Sequence, residues 1–134
     1  MLDKIHSDAM GKLTLRLTVG MLMLFHGVAK IIHQGSIEFI GSNFSSIGMP
    51  SEISYGVYIG EVIAPLMIIF GYHTRIGGLI IALIMVFAVG LVHMGDIFSL
   101  SKHGGWSLEL QAFYLLGGLS VALLGSGRFA IKPD

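Results

Sequence analysis

The chain has 134 residues, a formal net charge of zero and no cysteine. Only 12% of its residues are charged, against about 25% in soluble domains, and its mean hydropathy is +0.82. This balance gives no electrostatic case for nucleic acid. It rules out disulfides, thiolate metal sites and CxxC redox chemistry carried by the chain itself, and it points to one compact all-α unit built in a lipid bilayer.

Residues 1–12 are polar and mixed in charge and read as a solvated lead-in or a short interfacial helix. The first span is expected at about 13–32. A signal peptide is the competing reading of this run, but an apolar stretch near 20 residues suits a span better. Residues 34–51 form a loop with glycine, serine, asparagine and Pro50. Inside it Ile37, Phe39, Ile40 and Phe44 suit a short amphipathic turn on the membrane surface. The second span is expected at about 53–71. Tyr72-His73-Thr74-Arg75 makes a tight connection to a third span at about 76–93. A second longer loop, 95–107, carries Asp96, Lys102, His103 and Trp106. The fourth span covers about 108–124, and Gly125-Ser126-Gly127-Arg128 ends it before a short tail. The expected fold is an integral membrane four-helix bundle forming one domain over 1–134. Lys4, Lys12, Arg16, Arg75, Arg128 and Lys132 lie on one side, against Lys30 and Lys102 on the other. Both termini are therefore expected to be cytoplasmic.

The second span carries Glu61 near its middle. A charge inside the hydrocarbon is expensive, so an ionisable residue there is a functional candidate. Pro65 lies four residues on and has no N–H, which frees the carbonyl of Glu61 from its helical partner. His26 lies roughly 9 Å below the outer end of its span and Glu61 roughly 12 Å below. Lys30, His93 and Glu109 sit near the outer ends of theirs. Five ionisable groups on four helices thus fall in the same outer half of the membrane. His26 and Lys30 share a helix face, as do Ser54, Tyr58, Glu61 and Pro65 on the second span. Trp106, Glu109, Phe113 and Gly117 roughly do so on the fourth. By depth, His26 is the better partner for Glu61, and Lys30 suits Glu109 or the loop.

These five groups admit three readings. They form a structural ion-pair latch, line a pocket for a small polar or quinone-like ligand, or make a proton or ion path. No metal is assigned. His26 and His33 are roughly 10 Å apart along one helix, too far to share an ion, so a site would need His26, His93 and a carboxylate to converge. Gly56-x-x-x-Gly60 reads as close packing within the bundle, with homo-oligomer formation as the alternative. Trp106 is an interface anchor or, on the sharper reading, a stacking platform for an aromatic ligand. The eight methionines read as filler.

Phe25-His26-Gly27-Val28-Ala29-Lys30, Gly56-x-x-x-Gly60-Glu61 with Pro65, Gly71-Tyr72-His73-Thr74-Arg75 and Gly125-Ser126-Gly127-Arg128-Phe129 occur in that order. Together they resemble the DoxX family of small four-helix bacterial membrane proteins over about 13–131. The resemblance implies a multi-pass protein of the bacterial inner membrane. It also implies a link to membrane oxidoreductase complexes, since the family's name comes from a subunit of a thiosulfate:quinone oxidoreductase. His26, Lys30, Glu61, Arg75, Glu109 and Arg128 are family-pattern positions. The chain departs from the family where it reads Phe129-Ala130-Ile131-Lys132 in place of aromatic-Ser-Leu-Asp, which leaves that position without an acidic tail contact.

The expectation is an accessory or quinone-interacting subunit of a membrane oxidoreductase, not a complete enzyme alone. It carries no intrinsic cofactor, and a redox partner protein handles the electrons. His26 and Lys30 would donate to a quinone headgroup and Glu61 would exchange protons. The rival classes are a small proton-coupled transporter and a non-catalytic scaffold for a soluble partner.

Overall fold

The structure, a computed structural model, describes residues 7–134. It is all-helical, and among the described residues there is no strand beyond two isolated bridges, Tyr72 with Lys132 and Leu100 with Trp106. The part of the expected lead-in that falls on 1–6 lies outside the described residues. From there the chain is already helical. Ser7 caps helix α1 (Asp8–Ile32), its Oγ accepting from the Met10 N–H at 3.2 Å. Asp8 sits in the first turn, where the positive end of the helix dipole favours it. It also pairs with Lys12 at 2.8 Å.

The expected 34–51 loop is largely a helix, α2 (Gly35–Ser46). Ile37, Gly41 and Phe44, spaced four and three apart, form its buried stripe. Gly41 lets the main chain at Ser51 approach closely. Its small residue serves packing there, although in sequence it reads as a turn signal. The second span is one apolar rod made of three different turns. A 3₁₀ segment covers Ser51–Gly56, a π turn covers Ile59–Ile63, and helix α3 covers Ala64–Phe70. Gly71 ends it in the left-handed conformation, φ 73°, its N–H donating to Met67 O at 2.9 Å. Helix α4 (Thr74–Val92) follows after the expected tight connection. The 93–108 segment folds on itself. Trp106 Nε1 donates to Ile97 O at 2.7 Å, and Ser99 Oγ to Ser107 Oγ at 2.8 Å. Helix α5 (Glu109–Leu124) completes the bundle.

Three helical stretches are long and apolar enough to cross a bilayer, namely Asp8–Ile32, Ser51–Phe70 and Thr74–Val92. Helix α5 is apolar but has 16 residues, about 24 Å of rise against roughly 30 Å of hydrocarbon. At most 33% of any of the three long apolar windows is buried inside the bundle, so most of their apolar surface faces outward. Phe25, Phe113 and Leu123 are among the outward side chains. Apolar surface on this scale needs lipid around it.

The core is a column of Val19, Met23, Ala64, Ile68, Ile81, Met85, Tyr114 and Val121. Gly78 and Gly118 face each other where α4 and α5 cross, and a Cβ on either would strike the other's carbonyl. Small residues bring helices together in the way expected of a membrane bundle, though at this pair rather than across the whole Gly56–Gly60 motif. Gly60 does seat Ile84 of α4 inside the bundle, but Gly56 faces open space.

At the tail end of the bundle, Arg16 is 1% exposed. Its guanidinium donates to Ile68 O (2.9 Å), Ser126 O (2.9 Å), Phe129 O (2.6 Å) and Ile69 O (3.2 Å). It joins α1, the end of α3 and the tail. The tail does carry an acidic contact, made by Asp134. Its carboxylate accepts from the main-chain N–H groups of Arg75 (3.1 Å) and Ser126 (3.2 Å). Arg75 Nη1 also donates to Ala122 O and Leu123 O, the last carbonyls of α5.

Candidate functional site

A proline in the second span is what shapes the site. Pro65 cannot donate to Glu61 O, and the helix widens there. The Ala64 N–H reaches back five residues to Ile59 O. Such π turns insert a residue and re-aim the side chains around them. The released Glu61 carbonyl lies against Gly27 of α1, where a Cβ would collide with it. Glycine therefore brings α1 into main-chain contact with the widened turn, and Lys30, three residues on, lies over the Glu61 carboxylate.

Lys30 Nζ donates to Glu61 Oε1 at 2.8 Å, with the two side chains 20% and 7% exposed. This differs from the expected pairing of Glu61 with His26. A depth count treats every side chain as level with its Cα, whereas the lysine stem spans more than a turn and the π turn shifts Glu61 toward it. Tyr58 OH, on the same stripe as Glu61, donates to Lys30 O at 3.1 Å. His26 instead meets the ring of Tyr114 edge-on, centroids 5.6 Å apart at 86°.

Lys30, Glu61, His26 and Tyr114 line a cavity of about 710 Å³. Its walls come from the end of α1, from α2, from the first half of the second span, from the end of α4 and from the start of α5. His26, Lys30, Glu61 and His93 all border it. Tyr114 and Gln111 of α5 add a hydroxyl and an amide. The Gln111 Oε1 atom is buried and lacks a hydrogen-bond partner. Met23, Met85 and Phe44 supply apolar wall. His93 Nδ1 lies 3.4 Å from Asp96 Oδ2 at the loop side.

Glu109 and Trp106 are not part of this cavity. The Glu109 carboxylate packs beside Gly105, and Trp106 is tied to Ile97 in the loop. Of the expected Trp106–Glu109–Phe113–Gly117 stripe, the first three face outward, with Phe113 77% exposed, whereas Gly117 packs against Val19 of α1. The inward stripe of α5 is Gln111, Tyr114, Gly118 and Val121. Among the described residues no three His, Asp or Glu side chains converge as metal ligands would. Tyr114 and Gln111 escaped the sequence reading, which had placed Tyr58 on the Glu61 stripe and Asp96 in the loop without giving either a role. Tyr114 carried a signal, being a polar-tipped aromatic at helical spacing from Gly118.

The comparisons with known proteins agree with this architecture. The DoxX family model matches residues 11–94. The chain is 32% identical over 128 residues to a Bacillus subtilis protein named "Putative oxidoreductase CatD", which covers 95% of this chain and 88% of that protein. It is 29% identical over 120 residues to an uncharacterised protein of Haemophilus influenzae, covering 87% of this chain and 84% of that one. No solved structure matches significantly. The family match spans most of the chain, and the apolar helices suit a bilayer, so this is a membrane protein and it belongs to the DoxX family.

Proposed function

We propose that this chain is the quinone-interacting or accessory subunit of an oxidoreductase system in the bacterial inner membrane, with four spans in a single domain and both termini cytoplasmic. The observation that carries the reading is the Lys30–Glu61 pair on the wall of a largely apolar cavity. The name of the Bacillus subtilis relative supports a link to oxidoreduction. The residues present fit a quinone headgroup. Lys30, His26 and Tyr114 offer donors for its carbonyl oxygens, and the unpartnered Gln111 Oε1 would accept from a hydroxyl of the reduced quinol. A bound quinone would supply two-electron chemistry that cysteine-free protein side chains lack. In this reading Lys30 and Tyr114 orient the headgroup, and Glu61 takes or returns a proton at its carboxylate. The apolar walls exclude water. Electrons pass to or from a partner protein.

The test is equilibrium binding of a ubiquinone or menaquinone analogue to purified protein in detergent. Wild type is expected to bind saturably. Glu61→Gln should weaken binding by about tenfold or more, since a hydrogen bond to a charged group is worth about 1.5–3 kcal/mol. Removing one partner of a buried pair can cost about 3 kcal/mol in stability, whereas removing both is often nearly neutral. The double variant Lys30→Met with Glu61→Gln is therefore the cleaner control. A stable double variant that has lost binding supports a site. Wild-type protein that does not bind overturns the reading and leaves the pair as a latch.

A further inference from the structure

Six of the side chains that line the cavity also face outward. Phe39 of α2 is 58% exposed, Phe87 of α4 54%, Leu110 of α5 47%, Met49 43% and Ile53 40%, and Ser36 of α2 is exposed as well. They form its mouth, and five of the six are apolar. Phe87 lies five residues before the end of α4, so its ring sits about 8 Å below that end. A mouth serving the water phase would stop at the helix end, where His93 and Asp96 meet. This one reaches His93 but continues along α4 to Phe87 on the apolar outer surface of the bundle, and Ser36 is the one polar side chain among the six. Helix α2 roofs the opening and packs chiefly on the Ser51–Gly56 segment, only lightly on α4. On the cavity wall, Lys30 and Glu61 compensate each other's charge, so an anion or a cation binding there would have to break the pair.

We infer that the cavity is reached sideways from the lipid, between α2 and the α4–α5 pair. Its ligand is an uncharged, membrane-dissolved molecule with a small hydrogen-bonding head and an apolar body. The inference rests on the reading of the cavity as a ligand site, and it adds the route and the charge class. The mouth is continuous with the lipid-facing surface, which is why lipid is assigned to it rather than a soluble partner. A water-soluble anion or a charged metabolite is disfavoured on two counts, the largely apolar mouth and the satisfied ion pair.

The natural absence of cysteine makes a thiol test clean. Gly56 lines the cavity, and a Cβ there meets no atom within 4 Å, so Gly56→Cys places one thiol inside without a clash. Ala88→Cys adds a second thiol on the wall that α4 supplies. Ser101→Cys, on the exposed loop, is the water-side reference. Each variant in liposomes is treated with a lipid-partitioning N-alkyl maleimide and, separately, with a quaternary-ammonium methanethiosulfonate. The expected result is maleimide labelling of both cavity thiols. The cationic reagent should react with them on the order of 100-fold more slowly than with Ser101→Cys, the factor set by carrying a charge through hydrocarbon. Cationic labelling of the cavity at the loop rate overturns the inference, and so does failure of both reagents to reach it. Neither reagent is a quinone, so the outcomes separate. Lipid-side labelling without quinone binding removes the quinone and keeps the route, whereas water-side labelling removes the route and leaves quinone binding to its own test.

Discussion

The buried Arg16 and the partly buried Lys30 do opposite things. Lys30 has a single carboxylate partner and borders open space, so it can be shared with a ligand. Arg16 is fully buried and committed to four carbonyls, two in α3 and two in the tail. Its planar fork matches several acceptors at once, which an ammonium cannot. Arg16→Leu should therefore destabilise the protein by at least about 3 kcal/mol, because several buried carbonyls lose their only strong donor. Arg16→Lys should recover only part of that. Thermal unfolding in detergent, with limited proteolysis of the tail, measures both, and a leucine variant as stable as wild type would show that the staple is dispensable. The two residues also show what sequence could reveal. A carboxylate in mid-span announces itself, and Glu61 was legible for that reason. Arg16 carried the same signal three residues inside the expected first span, but it also counts toward topology, and that second role hid the first. The choice of Lys30 over His26 depends on stem length and on a π turn, neither of which residue spacing encodes.

The elements were more legible than their internal detail. The apolar runs that mark the spans fall within a few residues of the observed helices, since a bilayer fixes their length by hydropathy alone. Helix α2 was underestimated because its glycine and serines resemble turn residues until the surface they pack on is known. The second span shows the finer lesson. Pro65 announced a freed carbonyl, and its destination, Gly27, is a residue whose value appears only when two helices meet. That contact predicts opposite signs for two glycines of one helix. Gly27→Ala should cost about 1–3 kcal/mol, because the new methyl collides with the Glu61 carbonyl and the Val62 side chain. Gly11→Ala has nothing within 4 Å of its Cβ and should stabilise by up to about 1 kcal/mol through helix propensity. Parallel unfolding curves decide it. If both substitutions prove neutral, the close approach of α1 to the π turn is not a source of stability.

At the scale of the whole molecule the two ends of the bundle are built differently, and this bears on the transporter alternative. The broken second span beside a charged residue is a feature that carriers use, and it is the observation in favour of that class. The opposite end argues against it. Below the cavity lie Ile68, Ile81 and Val121, each fully buried, and beneath them Arg16 closes on the tail. The Arg75–Asp134 contacts and the main-chain bonds from Ile131 to Phe70 O and Lys132 to Gly71 O add a second fastening. Alternating access would require a site reachable from each side in turn, so every cycle would have to break the bonds of a fully buried guanidinium. A dead-end pocket needs none of that. Purified protein in liposomes should accordingly pass neither protons nor small solutes above the protein-free background, with and without a pH gradient. The same vesicles should retain ligand binding in the cavity. Saturable flux that Glu61→Gln abolishes would instead mean that the tail staple opens, and the carrier reading would then displace the binding-subunit one.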